Sequence, residues 1–161
     1  LRRSYIHMRV SIARVSKAAF VGWAGMTGLI TAARLAGLGW TDIIGIEGAF
    51  FAEPNSKRAR TIGGVIHLGM CLWIAFAYLL GFRATGLRPS WKTGALGGVV
   101  HGLIGGLVAA FVTTKHPRRA ELEMPGFAGS ALGLRTVVGW LASHLLFGSL
   151  VGRQYGRDHD A

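Results

Sequence analysis

Acidic side chains are scarce in this chain. Its 161 residues hold seven Asp and Glu against eighteen Lys and Arg, and none of the seven lies inside an apolar run. A proton or ion path across a membrane calls for such a charge, so its absence weighs against a small transporter or channel. Cysteine is scarcer still. Cys71 stands alone, which excludes an internal disulfide framework and a thiolate metal cluster. Catalytic signatures are missing as well: there is no Walker loop, no HExxH and no GxSxG, and the glycine clusters follow no strand. Ser143 beside His144 is not a nucleophile–base pair, because neighbours on a helix point about 100° apart. No enzyme is expected.

What is abundant is apolar surface and glycine. The chain is 51% hydrophobic and 16% charged, has 25 glycines, and its mean hydropathy is +0.42. That balance suits close-packed membrane helices. Four apolar runs, residues 18–33, 62–82, 95–114 and 136–152, approach the ~20 residues that a ~30 Å hydrocarbon core requires. They do not alternate apolar with polar residues, which excludes a spanning barrel. Arg34 and Arg135 extend the two shorter runs, since their long stems can snorkel to the interface. The expected fold is all-α: one polytopic membrane domain over residues 1–161, with four transmembrane helices in a glycine-rich bundle over 18–152 and a polar tail over 153–161.

The net charge of +11 falls almost wholly between the runs. Anionic lipid headgroups at the cytoplasmic face, not nucleic acid, are therefore the expected counterpart. Arg2, Arg3, Arg9, Arg14, Lys17, Arg83, Arg88, Lys92, Arg153 and Arg157 lie on one side. Lys57, Arg58, Arg60, Lys115, Arg118 and Arg119 lie on the other, with Asp42, Glu47, Glu53, Glu121 and Glu123. The positive-inside rule then puts both termini in the cytoplasm. The first residues are too polar and basic for a signal-peptide core, and a chain beginning at Leu1 is expected to be trimmed or incomplete. Residues 4–17 place Tyr5, Met8, Ile12 and Val15 at helical spacing opposite His7, Arg14 and Lys17. They predict a basic amphipathic helix on the inner leaflet. The connector TDIIGIEGAFFAEP is too apolar for a free loop and predicts an interfacial or re-entrant helix, with Glu47 and Glu53 facing headgroups or a partner.

Small residues recur every fourth position. The third run carries Gly94, Gly98, Gly102 and Gly106, with Gly97, His101 and Gly105 on the adjacent row. The others carry His144, Gly148, Gly152 and Gly156; Gly63, His67, Cys71 and Ala75; and Ala24, Gly28, Ala32 and Ala36. Such rows let backbones approach, so Gly28, Gly63, Gly94, Gly98, Gly102, Gly106, Gly148 and Gly152 are expected at helix contacts. GGVIHLGMC in the second run echoes GWLASHLLFG in the fourth, and the first and third runs share their glycine content. Two parallel hairpins about an axis along the membrane normal would follow.

Three histidines fall within the runs and should face the interior, because a polar ring in lipid without a partner is costly. At ~1.5 Å per residue, His67 and His144 lie about 8 and 12 Å below one surface, and His101 stands at another depth. Each ring could donate one packing hydrogen bond. Alternatively His67 and His144, or less readily His101, could ligate a haem b or a (bacterio)chlorophyll, with glycines giving room for the flat ring. A proton or ion path is the third reading. His116 reads as a headgroup-facing loop residue and His159 as tail.

GMTGLITAARLAGLGWTDIIGIEGAFFAEP, then GGVIHLGM and SHLLFGSLVG, resembles a group of small four-helix prokaryotic membrane proteins, the YagU-like proteins. The matching positions are Gly25 and Gly28, Gly63 and His67, and His144 and Gly148. The likeness covers most of residues 20–152. It implies the fold and a prokaryotic inner membrane, and no chemistry. The expected function is a non-catalytic accessory subunit packed against other integral membrane subunits, without a cofactor. The alternatives are a haem- or chlorophyll-binding subunit and a small transporter or channel.

Overall fold

A computed structural model of the chain describes residues 11–38 and 40–157. These residues are helical, without strands. The helices are α1 (Ile12–Leu35), α2 (Ile43–Gly48), α3 (Lys57–Thr85), α4 (Trp91–Lys115) and α5 (Leu134–Arg157), with a 3₁₀ segment at Phe127–Leu132. The four long helices are each long and apolar enough to cross a membrane, so the chain is a multi-pass membrane protein.

The helix limits are written in short polar signals. Ser56 caps α3 by accepting from the Ala59 N–H at 3.0 Å, and Gly86 ends it in the left-handed region at φ 66°. Ser90 and Thr93 form a reciprocal capping box at the start of α4. The four prolines, Pro54, Pro89, Pro117 and Pro125, all fall between the long helices, where no ladder bond is lost.

Two expected boundaries are corrected. Residues 12–17 do not form a separate surface helix but are the first turns of α1, because Val15, Ala18, Ala19, Gly22 and Met26 make one continuous inner face. The earlier part of that expected helix, 4–10, lies outside the described residues. At the other end α5 runs through the expected tail to Arg157, with Gln154 and Tyr155 buried. Tyr155 Oη donates to the Ala75 carbonyl at 2.8 Å, which ties that end of α5 to α3. Residues 158–161, including His159, lie outside the described residues.

Ala18, Ala19 and Met26 of α1, Cys71, Ala75, Leu79 and Phe82 of α3, and Phe147, Val151 and Tyr155 of α5 form the core. The fourth long helix, α4, packs along α5. A two-fold along the membrane normal is not observed. It would match the extensive α1–α5 packing with equal α3–α4 packing, but α3 meets α4 chiefly through the ring of Tyr78 against Gly97 and His101. The alanines of α1 admit α5 closely, whereas the bulk of Tyr78 holds α4 away from α3.

Candidate functional site

One group of buried polar side chains lies beneath α2. This short helix crosses the start of α3 at glycine contacts: a Cβ on Gly48 would run into the Ala59 carbonyl, and one on Gly63 into that of Ile44. Gly63 therefore receives α2, not another span. Asp42 caps α2 through the Gly45 N–H at 3.2 Å and pairs with Arg60 at 2.9 Å and Arg34 at 3.6 Å.

From this platform Glu47 turns inward. Its Oε1 lies 3.1 Å from His67 Nδ1, with the two side chains 13% and 11% exposed. The expectation that Glu47 faces headgroups is corrected, because α2 lies flat on α3 and its fifth residue projects along the α3 surface. His67 is seven residues beyond Arg60, roughly 10 Å deeper at 1.5 Å per residue. The bundle thus contains an acid after all, delivered by a connector and not by a span. Its second oxygen, Oε2, is buried and has no hydrogen-bond partner among the described residues. Glu53, by contrast, is exposed and held by Arg118 through two bonds of 2.7 and 2.8 Å. Bonding to Glu53 pushes the Arg118 guanidinium above its ordinary pKa.

His116 does not face headgroups. It is 2% exposed, and its Nδ1 accepts from the Arg118 N–H at 3.1 Å. That leaves Nε2 to donate to the Ile46 carbonyl, also at 3.1 Å. With Phe50 against its ring at 4.1 Å, His116 rivets α2 to the end of α4. The backbone turn at Pro117 brings it under the cap.

His101 and His144 are not at separate depths. Their rings touch edge to face, 4.7 Å between centroids. Each is the eleventh residue of its helix, because α4 begins at the Ser90 cap and not at Ala95, which pushes His101 toward the middle. His144 Nδ1 donates to the Trp140 carbonyl at 2.7 Å, which Ser143 Oγ shares at 2.8 Å. Trp140 stacks on His144 at 4.7 Å, and its Nε1 donates across to the Gly102 carbonyl at 2.9 Å. Two buried polar atoms here, His101 Nδ1 and Tyr78 Oη, have no hydrogen-bond partner among the described residues.

Glycines line the α4–α5 seam. A Cβ on Gly94 would strike the Gly148 carbonyl, one on Gly148 that of Gly94, and one on Gly152 that of Ser90. Gly98 and Gly102 receive the backbone and Cβ of His144, and Gly106 the ring of Phe127. Gly28 is the exception within the chain: a Cβ there meets none of the described residues within 4 Å, and Ala24, Gly28, Ala32 and Ala36 are all exposed. Gly22 and Gly25 face α5 in its place, against Phe147 and Leu150. The sequence places Glu47 and His116 at the headgroups instead of inside, and it does not single out Tyr78 or Trp140. Only Trp140 carried a signal, its i−4 spacing from His144.

No family model, curated protein or solved structure matches this chain.

Proposed function

We propose that the protein is a non-catalytic subunit of a larger membrane assembly, and that its imidazoles hold helices together. The observation that carries this reading is where their nitrogens go. His67 Nδ1 joins α3 to Glu47 of α2 and His116 Nε2 joins the end of α4 to Ile46 of α2, while His144 Nδ1 bonds the Trp140 carbonyl within α5 and its ring packs against His101 of α4. The edge-to-face contact of His101 with His144 fills the space that a macrocycle ligated by both would need. The absorption spectrum of the purified protein tests the reading. A stoichiometric haem or chlorophyll band, lost in His144→Gln, would replace it with the cofactor-binding alternative.

The partner helix would lie on α1. The lipid-side faces of α3 and α4 carry bulky Val65, Leu72 and Trp73, and Leu96, Leu103 and Leu107. The open α1 row of Ala24, Gly28 and Ala32 is small and smooth, which suits helix contact. Cysteines at Ala24 and Ala32, in a Cys71→Ser background, should crosslink to a second membrane subunit. Products of twice the chain mass would make the partner another copy.

A second reading, a proton or ion path, gains one observation: Glu47 brings to His67 the acid that the spans lack. Proton flux into proteoliposomes, abolished by Glu47→Gln, would favour it. Placement in a prokaryotic inner membrane with both termini cytoplasmic, anionic lipids at that face, and kinship with the YagU-like group all remain part of the proposal. Accessibility of a cysteine at Asn55 from outside intact cells tests the orientation.

A further inference from the structure

A cleft of about 360 Å³ opens at the α2 end, between the last turn of α1, the start of α2 and the loop that follows α4. That volume falls within the ~300–1,000 Å³ of small-molecule sites. One wall is cationic. Arg34 and Arg60 both bear on Asp42, so two guanidiniums share one carboxylate and one positive charge is left over. Their side chains are 44% and 47% exposed, free to donate outward. The other wall is anionic. Glu121 and Glu123 line it, and Glu121 meets Arg118 only at 3.5 Å, a guanidinium already engaged by Glu53 at 2.7 Å. Glu123 has no counter-ion among the described residues. Thr41 lies on the cleft wall, 4% exposed, and its Oγ1 is buried without a partner among the described residues. A buried hydroxyl left unbonded is costly, and a turn of the Thr41 side chain toward the cleft would give it a polar partner there. Trp40 gives the cleft a rigid side, its ring seated against Gly139 of α5.

We infer that this cleft binds a zwitterion with an anionic group and a primary ammonium a few bonds apart. The anionic group bonds Arg34, Arg60 and the Thr41 hydroxyl, and the ammonium donates to Glu121 and Glu123. Charge-assisted bonds of both signs are required together, which selects against simple anions and simple amines. Two sources carry this chemistry: the phosphoethanolamine headgroup of a membrane lipid, reaching the cleft from the bilayer edge, and a free amino acid or free phosphoethanolamine.

Native mass spectrometry of the delipidated full chain in mild detergent tests the inference. Phosphatidylethanolamine, phosphatidylcholine and phosphatidylglycerol would be offered in equal amounts. The ethanolamine lipid should be retained about tenfold over the other two, since choline cannot donate to Glu121 and Glu123 and glycerol carries no charge for them. Glu123→Gln should bring the ethanolamine lipid down toward the choline lipid, and Thr41→Val should weaken retention of all three. Neither change touches the Asp42 pairs that hold α2, so both variants stay informative if Arg60→Gln fails to fold. A thermal-shift arm with free phosphoethanolamine and glycine separates the sources. Stabilisation by these, without selective lipid retention, assigns a soluble zwitterion. Equal retention of the three lipids with no stabilisation by either solute, or an ethanolamine preference that survives Glu123→Gln, would overturn the inference.

Discussion

Two regions of this bundle hold helices together by opposite means. Where α1, α3 and α5 meet, side chains fill the space: Leu79, Phe147, Val151 and Tyr155 are fully buried, and small residues serve only to admit them. Where α4 meets α5, the backbones themselves touch, at Gly94 against Gly148 and Gly152 against Ser90. Lipid tails are as apolar as leucine, so neither region gains much from leaving the bilayer; both depend on van der Waals contact and on the few polar bonds inside. The core can lose a methyl group and relax. The seam cannot gain one without moving a backbone.

The largest expected effect follows from that difference. Gly148→Leu or Gly94→Leu puts a side chain where a carbonyl now sits, so α4 should separate from α5. Overpacking costs ~1–3 kcal/mol even where neighbours can shift, and here the neighbour is main chain. Loss of a folded, monodisperse species in mild detergent is the expected result. Unchanged behaviour would mean that the seam is looser than these contacts require. Leu79→Ala should follow, at ~2–5 kcal/mol as for other buried leucines, read as a lower denaturation midpoint with the fold retained. Were the core variant the more damaging of the two, the comparison would be reversed.

Trp140→Phe comes next. It keeps the ring on His144 and removes the single bond to the Gly102 carbonyl, worth ~0.6–2 kcal/mol between membrane helices. Because that bond crosses the seam, a cysteine placed on α4 should become more reactive while one in the α1–α3 contact does not. Equal change at both sites would show that the two regions unfold as one.

How far the sequence reveals these two regions depends on the kind of signal each carries. The α3 row of Gly63, His67, Cys71 and Ala75 is legible because a single small-residue stripe runs down that helix, and all four residues are buried. On α1 two such stripes run side by side, Ala18 and Gly22 on one and Ala24, Gly28 and Ala32 on the other. Only the bulk of Phe147 and Val151 opposite decides which one turns in. Hydropathy finds the middle of a span but not its capped ends, and the turn that Ser90 and Thr93 add to α4 sets His101 deeper than the apolar run alone implies. Glu47 could not be placed from sequence at all. Its position depends on α2 lying flat across Gly63, a contact between segments joined by an irregular loop.

The smallest effect expected on folding, and the most telling about function, is at Gly28. A Cβ added there meets none of the described residues within 4 Å, so Gly28→Leu should leave the isolated protein within about 0.5 kcal/mol of its original stability, as exposed substitutions do. The same change at Gly148, on the seam, should be ruinous. Comparing the two separates a glycine kept for the chain's own fold from one left open on its surface. If α1 carries a partner helix, Gly28→Leu should remove the crosslink formed through a cysteine at Ala24, with no loss of folded monomer. An intact crosslink in a stable Gly28→Leu protein would show that this face of α1 meets only lipid, and would withdraw the docking row from the proposed function.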